Sequence, residues 1–144
     1  MTAPRLTAIT IGVRDVRAST AFYEALGFER KMRATGDEIS FFDAGGVVFA
    51  VWSADKLAED AKADGKAGSH FGGVTLAWNC ATPAEVNAAF TKALAAGAKP
   101  VRNPEPTDYG GYRGYFSDPD GHVWEIVQAP GFAFAADGRL ILPD

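Results

Sequence analysis

The sequence has little of what several common functions require. Cys80 is the single cysteine, so no disulfide can form within the chain, as is usual in a reducing compartment. No Lys/Arg run is present and the net charge is −4, which argues against nucleic-acid or membrane-surface partners. No apolar stretch approaches the roughly 18 residues of a membrane span, and the first residues lack a secretory-signal pattern. We therefore expect a cytoplasmic protein with no nucleic-acid or membrane partner.

What the sequence does contain is an imperfect internal repeat. Residues 115–127 (YFSDPDGHVWEIV) match residues 40–52 (SFFDAGGVVFAVW) without a gap, and each copy reads as strand, Asp/Gly turn and strand. This alignment pairs Glu125 with Ala50, Tyr115 with Ser40 and Arg113 with Glu38. A repeat of this kind predicts a fold built from two copies of one unit.

The same order of elements precedes each copy. A strand at residues 6–13 leads to a helix that begins near Asp15 and ends at Gly27. A strand at residues 73–78 leads to a helix with a Thr82 cap that ends at Gly97. Three strands follow each helix, and in the second half they are predicted at residues 99–102, 111–116 and 123–127.

These patterns predict an α+β fold made of two βαβββ modules within one domain over residues 1–130. Module 1 covers about residues 5–53 and module 2 about residues 72–129. Residues 54–71 are predicted to link them, beginning with a short helix capped by Ser53. Residues 131–144 form a C-terminal tail, for which packing on the body, packing on a partner subunit and loose packing are all open.

Three local patterns resemble the vicinal oxygen chelate superfamily, which includes glyoxalase I, extradiol dioxygenases, fosfomycin-resistance proteins and bleomycin-binding proteins. They are VRD at 13–15 with AFYEALGF at 21–28, YGGYRGY at 109–115, and FSDPDG at 116–121. The resemblance implies half-open, barrel-like modules that together enclose a cavity, and it implies a homodimer. It says less about activity, because one scaffold hosts many chemistries.

Members of this superfamily that are enzymes hold a divalent ion with His and Glu at four strand positions. The resemblance places these positions at Ala8, Ala50, Gly73 and Glu125, of which only the last carries a donor side chain. The two histidines, His70 and His122, are predicted to lie on the opposite strand face or in the linker. No cofactor is therefore expected, and a divalent metal is expected only if Glu125 belongs to a non-standard site.

Strand parity and the resemblance together predict which side chains line the cavity. Glu125 is the candidate catalytic residue, acting on a ligand or as an acid/base; the alternative is a structural carboxylate paired with Arg113. Tyr109 and Tyr112 flank a glycine pair in a loop that either covers the pocket or shields a sheet edge. The candidate ligand-binding residues are Trp52, Arg113, Tyr115, Thr10, Thr75, Glu38, Tyr109 and Tyr112.

Three functions remain open from the sequence. The first is metal-independent binding of a small molecule, aromatic or cationic in the favoured case, similar to the bleomycin-binding branch. The second is a lyase, isomerase or dioxygenase that uses Glu125 as an acid/base or in a non-standard metal site. The third is a non-catalytic subunit whose modules serve only assembly.

Overall fold

The computed structural model describes residues 6, 8–62, 71–72 and 74–142, and the chain divides into two compact units. The first is Met1–Gly68 and the second is Ser69–Asp144, so the boundary falls inside the predicted linker. Each unit contains one four-stranded sheet, and the α+β class with two repeated modules is confirmed. No helix in the described part of the chain has the length and apolar character to cross a membrane.

The elements of the first unit are β1 (Ala8–Val13), α1 (Val16–Leu26), β2 (Glu29–Lys31), β3 (Ile39–Asp43), β4 (Val48–Ser53) and α2 (Ala54–Ala61). Its sheet has the order β1-β4-β3-β2. Strands β1 and β4 run parallel, whereas β4–β3 and β3–β2 are antiparallel. The predicted bounds of the first helix are confirmed: Asp15 precedes it and accepts a hydrogen bond from the Ala18 N–H at 3.1 Å, and Gly27 ends it at φ 114°.

The core of the first unit lies between α1 and one face of its sheet. The fully buried Tyr23 ring contacts Phe49 edge-on at 4.8 Å and lies 6.0 Å from Phe42. Ser40, also on this face, is buried and lies 2.6 Å from the Thr20 hydroxyl of α1. Phe49 is therefore on the helix side, as strand parity predicts, and the opposite face carries Ala8, Thr10 and Ala50.

Helix α2 confirms the predicted Ser53 cap, since the Ser53 hydroxyl accepts from the Lys56 N–H at 3.3 Å. Its first residue packs against Gly12 of β1. A Cβ atom at Gly12 would lie 2.9 Å from the Ala54 Cα, closer than real Cβ contacts allow. Glycine at this position therefore lets the helix approach the strand.

The elements of the second unit are β5 (Thr75–Asn79), α3 (Pro83–Ala96), β6 (Lys99–Pro106), β7 (Tyr112–Ser117), β8 (Val123–Gln128), β9 (Ala133–Phe134) and β10 (Leu140–Ile141). The arrangement of the first unit is repeated, with strand order β5-β8-β7-β6 and α3 packed on one face. Thr82 caps α3 by accepting from the Glu85 N–H at 3.2 Å, and Gly97 ends it at φ 115°. The last two strands form a hairpin that the sequence does not predict, and this hairpin places the tail in the second unit.

The turn between β7 and β8 is one residue longer than the turn between β3 and β4. The gapless alignment of residues 40–52 with 115–127 is therefore wrong on the N-terminal side of the turn. Phe41 pairs with Ala50 in the first unit, and Tyr115 pairs with Glu125 in the second. The turn spans residues 44–47 in the first hairpin and 118–122 in the second. The counterpart of Tyr115 is therefore Phe41, not Ser40, and the counterpart of Arg113 is Ile39, not Glu38.

The register of the first strands corrects a second assignment. Ala8 pairs with Val48 in the first unit, and Thr75 pairs with Val123, the counterpart of Val48, in the second. The helix caps that follow, Asp15 and Thr82, have the same separation as Ala8 and Thr75. Ala8 therefore corresponds to Thr75, whereas Gly73 lies outside the described residues.

Candidate functional site

Tyr115 and Glu125 meet on the face of the second sheet that points away from α3. They are direct neighbours on β7 and β8, and the Tyr115 hydroxyl donates to Glu125 Oε2 at 3.0 Å. The side chains that follow and precede them, Phe116 and Trp124, are buried on the helix side, where their rings stack at 6.1 Å. Alternation along the strands thus puts the core on one face and the Tyr–Glu pair on the other.

The surroundings keep the Tyr115 phenol protonated. Burial is the main reason that its pKa is raised, and the hydrogen bond to Glu125 and the charge of that carboxylate raise it further. Arg113 acts in the opposite direction, and the nearby Tyr109 hydroxyl adds a small raising effect. The phenol is therefore a hydrogen-bond donor at neutral pH.

Arg113 lies beside this pair and is largely buried, with 14% of its side chain exposed. Its guanidinium carbon lies 6.0 Å from the centroid of the Tyr115 ring, within the range of a cation–π contact. Its Nη1 atom lies 3.6 Å from Glu105 Oε1, an ion-pair distance, and has no hydrogen-bond partner among the residues that the structure describes. A buried N–H without a hydrogen-bond partner costs free energy, so this group can donate to an acceptor atom of a ligand.

The alternative raised by the sequence, a structural pair of Glu125 with Arg113, differs from the contacts in the structure. Tyr115 hydrogen-bonds the carboxylate, whereas the acidic neighbour of Arg113 is Glu105. Glu105 is held mainly by Arg102, whose Nε donates to its Oε1 at 2.7 Å and which lowers the pKa of the Glu105 carboxyl. Sequence reasoning missed Arg102 and Glu105, because the prolines around them end the predicted strand early.

The other predicted ligand-binding residues of the second unit do not all lie beside Tyr115 and Glu125. Thr75 is exposed on the edge strand β5, two residues before Ala77, which pairs with Glu125. Tyr109 is 55% exposed in the turn before β7. Tyr112 belongs to β7 rather than to a loop, and its hydroxyl donates to Asn87 of α3 at 2.9 Å. Tyr112 is thus on the helix side and is not brought together with Glu125.

The candidates of the first unit form a separate group. Thr10 is exposed and pairs with Ala50 on β4. Glu38 is exposed, and its Oε1 accepts a hydrogen bond from Lys56 Nζ of α2 at 2.7 Å. Lys56 is the main reason that the pKa of Glu38 is lowered, and Trp52 contributes less. Trp52 and Glu38 are therefore near each other, with Lys56 as a partner that the sequence does not reveal.

The residues at the superfamily's metal-ligand positions do not suit a divalent ion. In the corrected register these are Ala8 and Ala50 in the first unit and Thr75 and Glu125 in the second. One carboxylate and one neutral hydroxyl fall short of the three or more protein ligands that such ions usually take. Within the described ranges, no three His, Cys, Asp or Glu side chains converge on a possible ion position. His122 lies in the β7–β8 turn, and His70 is outside the described residues.

Comparison with known proteins decides the family. The model of the glyoxalase/bleomycin resistance protein/dioxygenase superfamily matches residues 5–126. The chain belongs to this superfamily. A search of curated protein sequences finds none that is significantly similar.

Solved structures of the glyoxalase/bleomycin resistance protein/dioxygenase superfamily share the fold over nearly the whole chain. A glyoxalase-related enzyme from Fulvimarina pelagi is 34% identical with a TM-score of 0.88, and the match covers 99% of this chain and 100% of that one. A family enzyme from Burkholderia phytofirmans PsJN is 25% identical, with a TM-score of 0.73 and coverage of 88% and 99%. A lactoylglutathione lyase from Agrobacterium tumefaciens, 20% identical with a TM-score of 0.68 and coverage of 88% and 95%, supports the fold alone.

Proposed function

We propose that this superfamily member binds a small organic molecule without a metal ion, with Tyr115 and Glu125 as the polar centre of the site. The hydrogen bond between them, on the sheet face opposite α3, carries the proposal. Val123 and Val127 lie on the same face, so a few polar groups stand among apolar side chains, as in most ligand sites. The ligand positions Ala8, Ala50 and Thr75 support the metal-independent mode, because they offer no carboxylate, imidazole or thiolate.

The chemistry of the pair favours an aromatic or cationic ligand. A carboxylate can accept about four hydrogen bonds, and Tyr115 supplies one, so Glu125 can accept another from an N–H group. The Tyr115 ring offers a flat apolar surface for stacking. Arg113 Nη1 can bind an acceptor atom of the same ligand. A planar molecule with a donor and an acceptor on one edge matches these three groups.

Thermal-shift and calorimetric titrations with aromatic amines, amides and heteroaromatic compounds test this function. We expect bound compounds to raise the unfolding temperature of the wild type, by mass action, and to do so unchanged in EDTA. Glu125→Gln and Tyr115→Phe should lower affinity roughly tenfold, about the loss of one hydrogen bond to a charged group. Glu59→Gln, on the exposed face of α2, is the matched control.

Two results would contradict the proposal. A stoichiometric divalent ion in the purified protein, lost together with ligand binding in Glu125→Ala, would show that the site depends on metal. Equal affinity in Glu125→Gln and Glu59→Gln would remove Glu125 from the site. The absence of any ligand across the panel would favour the assembly subunit instead.

An acid/base enzyme of the lyase, isomerase or dioxygenase kind is the second candidate, favoured by the 34% identity to a glyoxalase-related enzyme. Glu125 would then take a proton from the substrate while the protonated Tyr115 donates to its oxygen. Exchange of substrate C–H protons in D₂O, abolished in Glu125→Gln, distinguishes catalysis from binding. Homodimer formation and a cytoplasmic location complete the proposal, and light scattering and cell fractionation test them.

A further inference from the structure

We propose a second small-molecule site in the second unit, for an aromatic carboxylate, in the cavity between β5, α3 and the C-terminal hairpin. The cavity has a volume of about 520 Å³, which suits a small organic ligand. Trp78 stands on β5 beside Ile126, a fully buried residue, and therefore on the helix side of the sheet. The cavity is thus on the opposite side of the sheet from Glu125, and the inference does not depend on the proposed function.

Two aromatic side chains and two alanines form much of the cavity lining. Trp78 and Phe134 line it from the strand and from the tail hairpin. On α3, Ala88 and Ala89 face it with small side chains that leave room for a ring. An aromatic ring inserted there contacts Trp78 and Phe134 and removes their apolar surface from water. Phe134 is 39% exposed without such a ligand.

The charges at the cavity favour an anionic group at one end. Lys92 and Glu85 line it from the same side of α3, seven residues or roughly 10 Å apart along the helix axis. The Glu85 carboxylate lies at the far end of this pair, where its Oε2 accepts from the Ala81 N–H at 2.8 Å in a capping arrangement. Lys92 makes no ion pair or hydrogen bond within the described ranges, so its ammonium group can bind a carboxylate.

The Cys80 thiol, which also lines the cavity, does not oppose an anion. Burial, and to a lesser extent the charge of Glu85, raises the pKa of the Cys80 thiol to about 11. The thiol is therefore neutral at pH 7 and presents a weak donor rather than a negative charge to the cavity. Lys92 at one end and two aromatic walls in the middle together select a planar ring that bears one carboxylate.

Titration with 2-naphthoate tests the site, with 2-naphthylmethanol and 2-naphthylmethylammonium as uncharged and cationic comparators. We expect the carboxylate to bind best, with shifts of the Ala88 and Ala89 methyl NMR signals. Lys92→Gln should weaken 2-naphthoate about two- to fivefold, the range of an exposed ion pair. Lys92→Glu should reverse the order of the two charged compounds, and Ala88→Leu and Phe134→Ala should weaken all three. Lys99→Gln, an exposed lysine on β6, is the matched control, and Glu125→Gln should leave binding unchanged.

Four outcomes would overturn the inference, of which three concern the cavity itself. They are no binding of 2-naphthoate at millimolar concentration, equal affinity in Lys92→Gln and Lys99→Gln, or NMR shifts confined to the face that carries Tyr115 and Glu125. Loss of 2-naphthoate binding in Glu125→Gln would likewise assign the compound to the other face. Because the two sets of variants lie on opposite faces of the sheet, failure of one site leaves the test of the other intact.

Discussion

Tyr115 and Glu125 occupy directly opposed positions on β7 and β8, and the phenol donates to the carboxylate at 3.0 Å. The pair is half-buried on the face opposite α3, where it does not contribute to the apolar core beneath the helix. Either side chain of such a pair can exchange its hydrogen-bond partner for a ligand without disturbing the core.

The ionisation of Tyr115 should depend on Glu125. Burial, the hydrogen bond and the carboxylate charge raise the pKa of the Tyr115 phenol, in that order. Glu125→Gln removes the charge and should shift the pKa part of the way down towards its ordinary value, while burial keeps it raised. The absorbance change on tyrosinate formation measures this, and Tyr115→Phe identifies the signal among the four tyrosines. An unchanged titration in Glu125→Gln would contradict the hydrogen bond.

The same shift has a consequence for alkaline stability. The folded protein holds the Tyr115 proton more tightly than the unfolded chain, whose tyrosines titrate near pH ~10. The resulting stabilisation is complete below that pH and is lost as the pH rises through the higher folded pKa. Urea unfolding at increasing pH should therefore show a steeper alkaline loss for the wild type than for Tyr115→Phe. Parallel curves would show that burial does not hold the proton.

The buried hydroxyl pair of Thr20 and Ser40 should respond unequally to the loss of either member. Thr20 donates to the Val16 carbonyl at 2.6 Å, so Ser40 must donate to Thr20 across their 2.6 Å contact. Ser40→Ala should cost about 1 kcal/mol, since Thr20 keeps its own bond, whereas Thr20→Val should cost about 2–3 kcal/mol by leaving the Ser40 donor buried without an acceptor. Urea unfolding measures both, and the double variant should recover part of the Thr20→Val loss. Equal losses of stability in the two single variants would show that Thr20 donates to Ser40 instead.

Gly12→Ala should destabilise the first unit by about 1–3 kcal/mol, the range for forcing an extra carbon into a packed site. The added Cβ would lie 2.9 Å from the Ala54 backbone, so α2 must move away from β1. Gly72→Ala is the control, because a Cβ there meets nothing within 4 Å and the backbone is not left-handed. The free energy of unfolding measures the difference. Equal effects would mean that α2 does not need its close approach.

Cys80 should react slowly with disulfide reagents in the folded protein. With a pKa of about 11, its thiolate fraction at pH 8 is about 100-fold below that of an ordinary thiol. Glu85→Gln should speed the reaction modestly, because the carboxylate charge is the second cause of the shift. Release of thionitrobenzoate from Ellman's reagent follows the rate, and denaturant gives the reference. A rate like that of the denatured chain would contradict the burial of this thiol.

Local signals allowed most of the fold to be predicted. The caps at Ser53 and Thr82, the helix start near Asp15 and the helix ends at Gly27 and Gly97 depend on nearby residues, and all are confirmed. The C-terminal end of strand β6 is not predicted correctly, because its prolines suggest that the strand ends at residue 102. In the structure the strand continues to Pro106, with two register shifts against β7. Gly114 makes those shifts possible, since a Cβ there would lie 2.9 Å from Pro104.

The partners within the candidate site could not be predicted from the sequence. Glu105 reaches Arg113, and Lys56 reaches Glu38, only once strand register and helix position are known. Tyr112 looked like a loop residue because it follows two glycines, but its hydroxyl anchors β7 to Asn87. Strand parity assigns Phe49 to the helix side correctly, whereas the gapless alignment of residues 40–52 with 115–127 is wrong by one residue across the turn.

The extra residue of the second hairpin is contained within its turn. The paired strands on either side keep their register, so Phe42 and Phe116 both lie in the core beneath the helix, whereas Phe41 and Tyr115 both lie on the opposite face. The length of this turn is therefore uncoupled from the two-sided character of the sheet. A position on the open face can hold phenylalanine in one module and tyrosine in the other while the core stays the same.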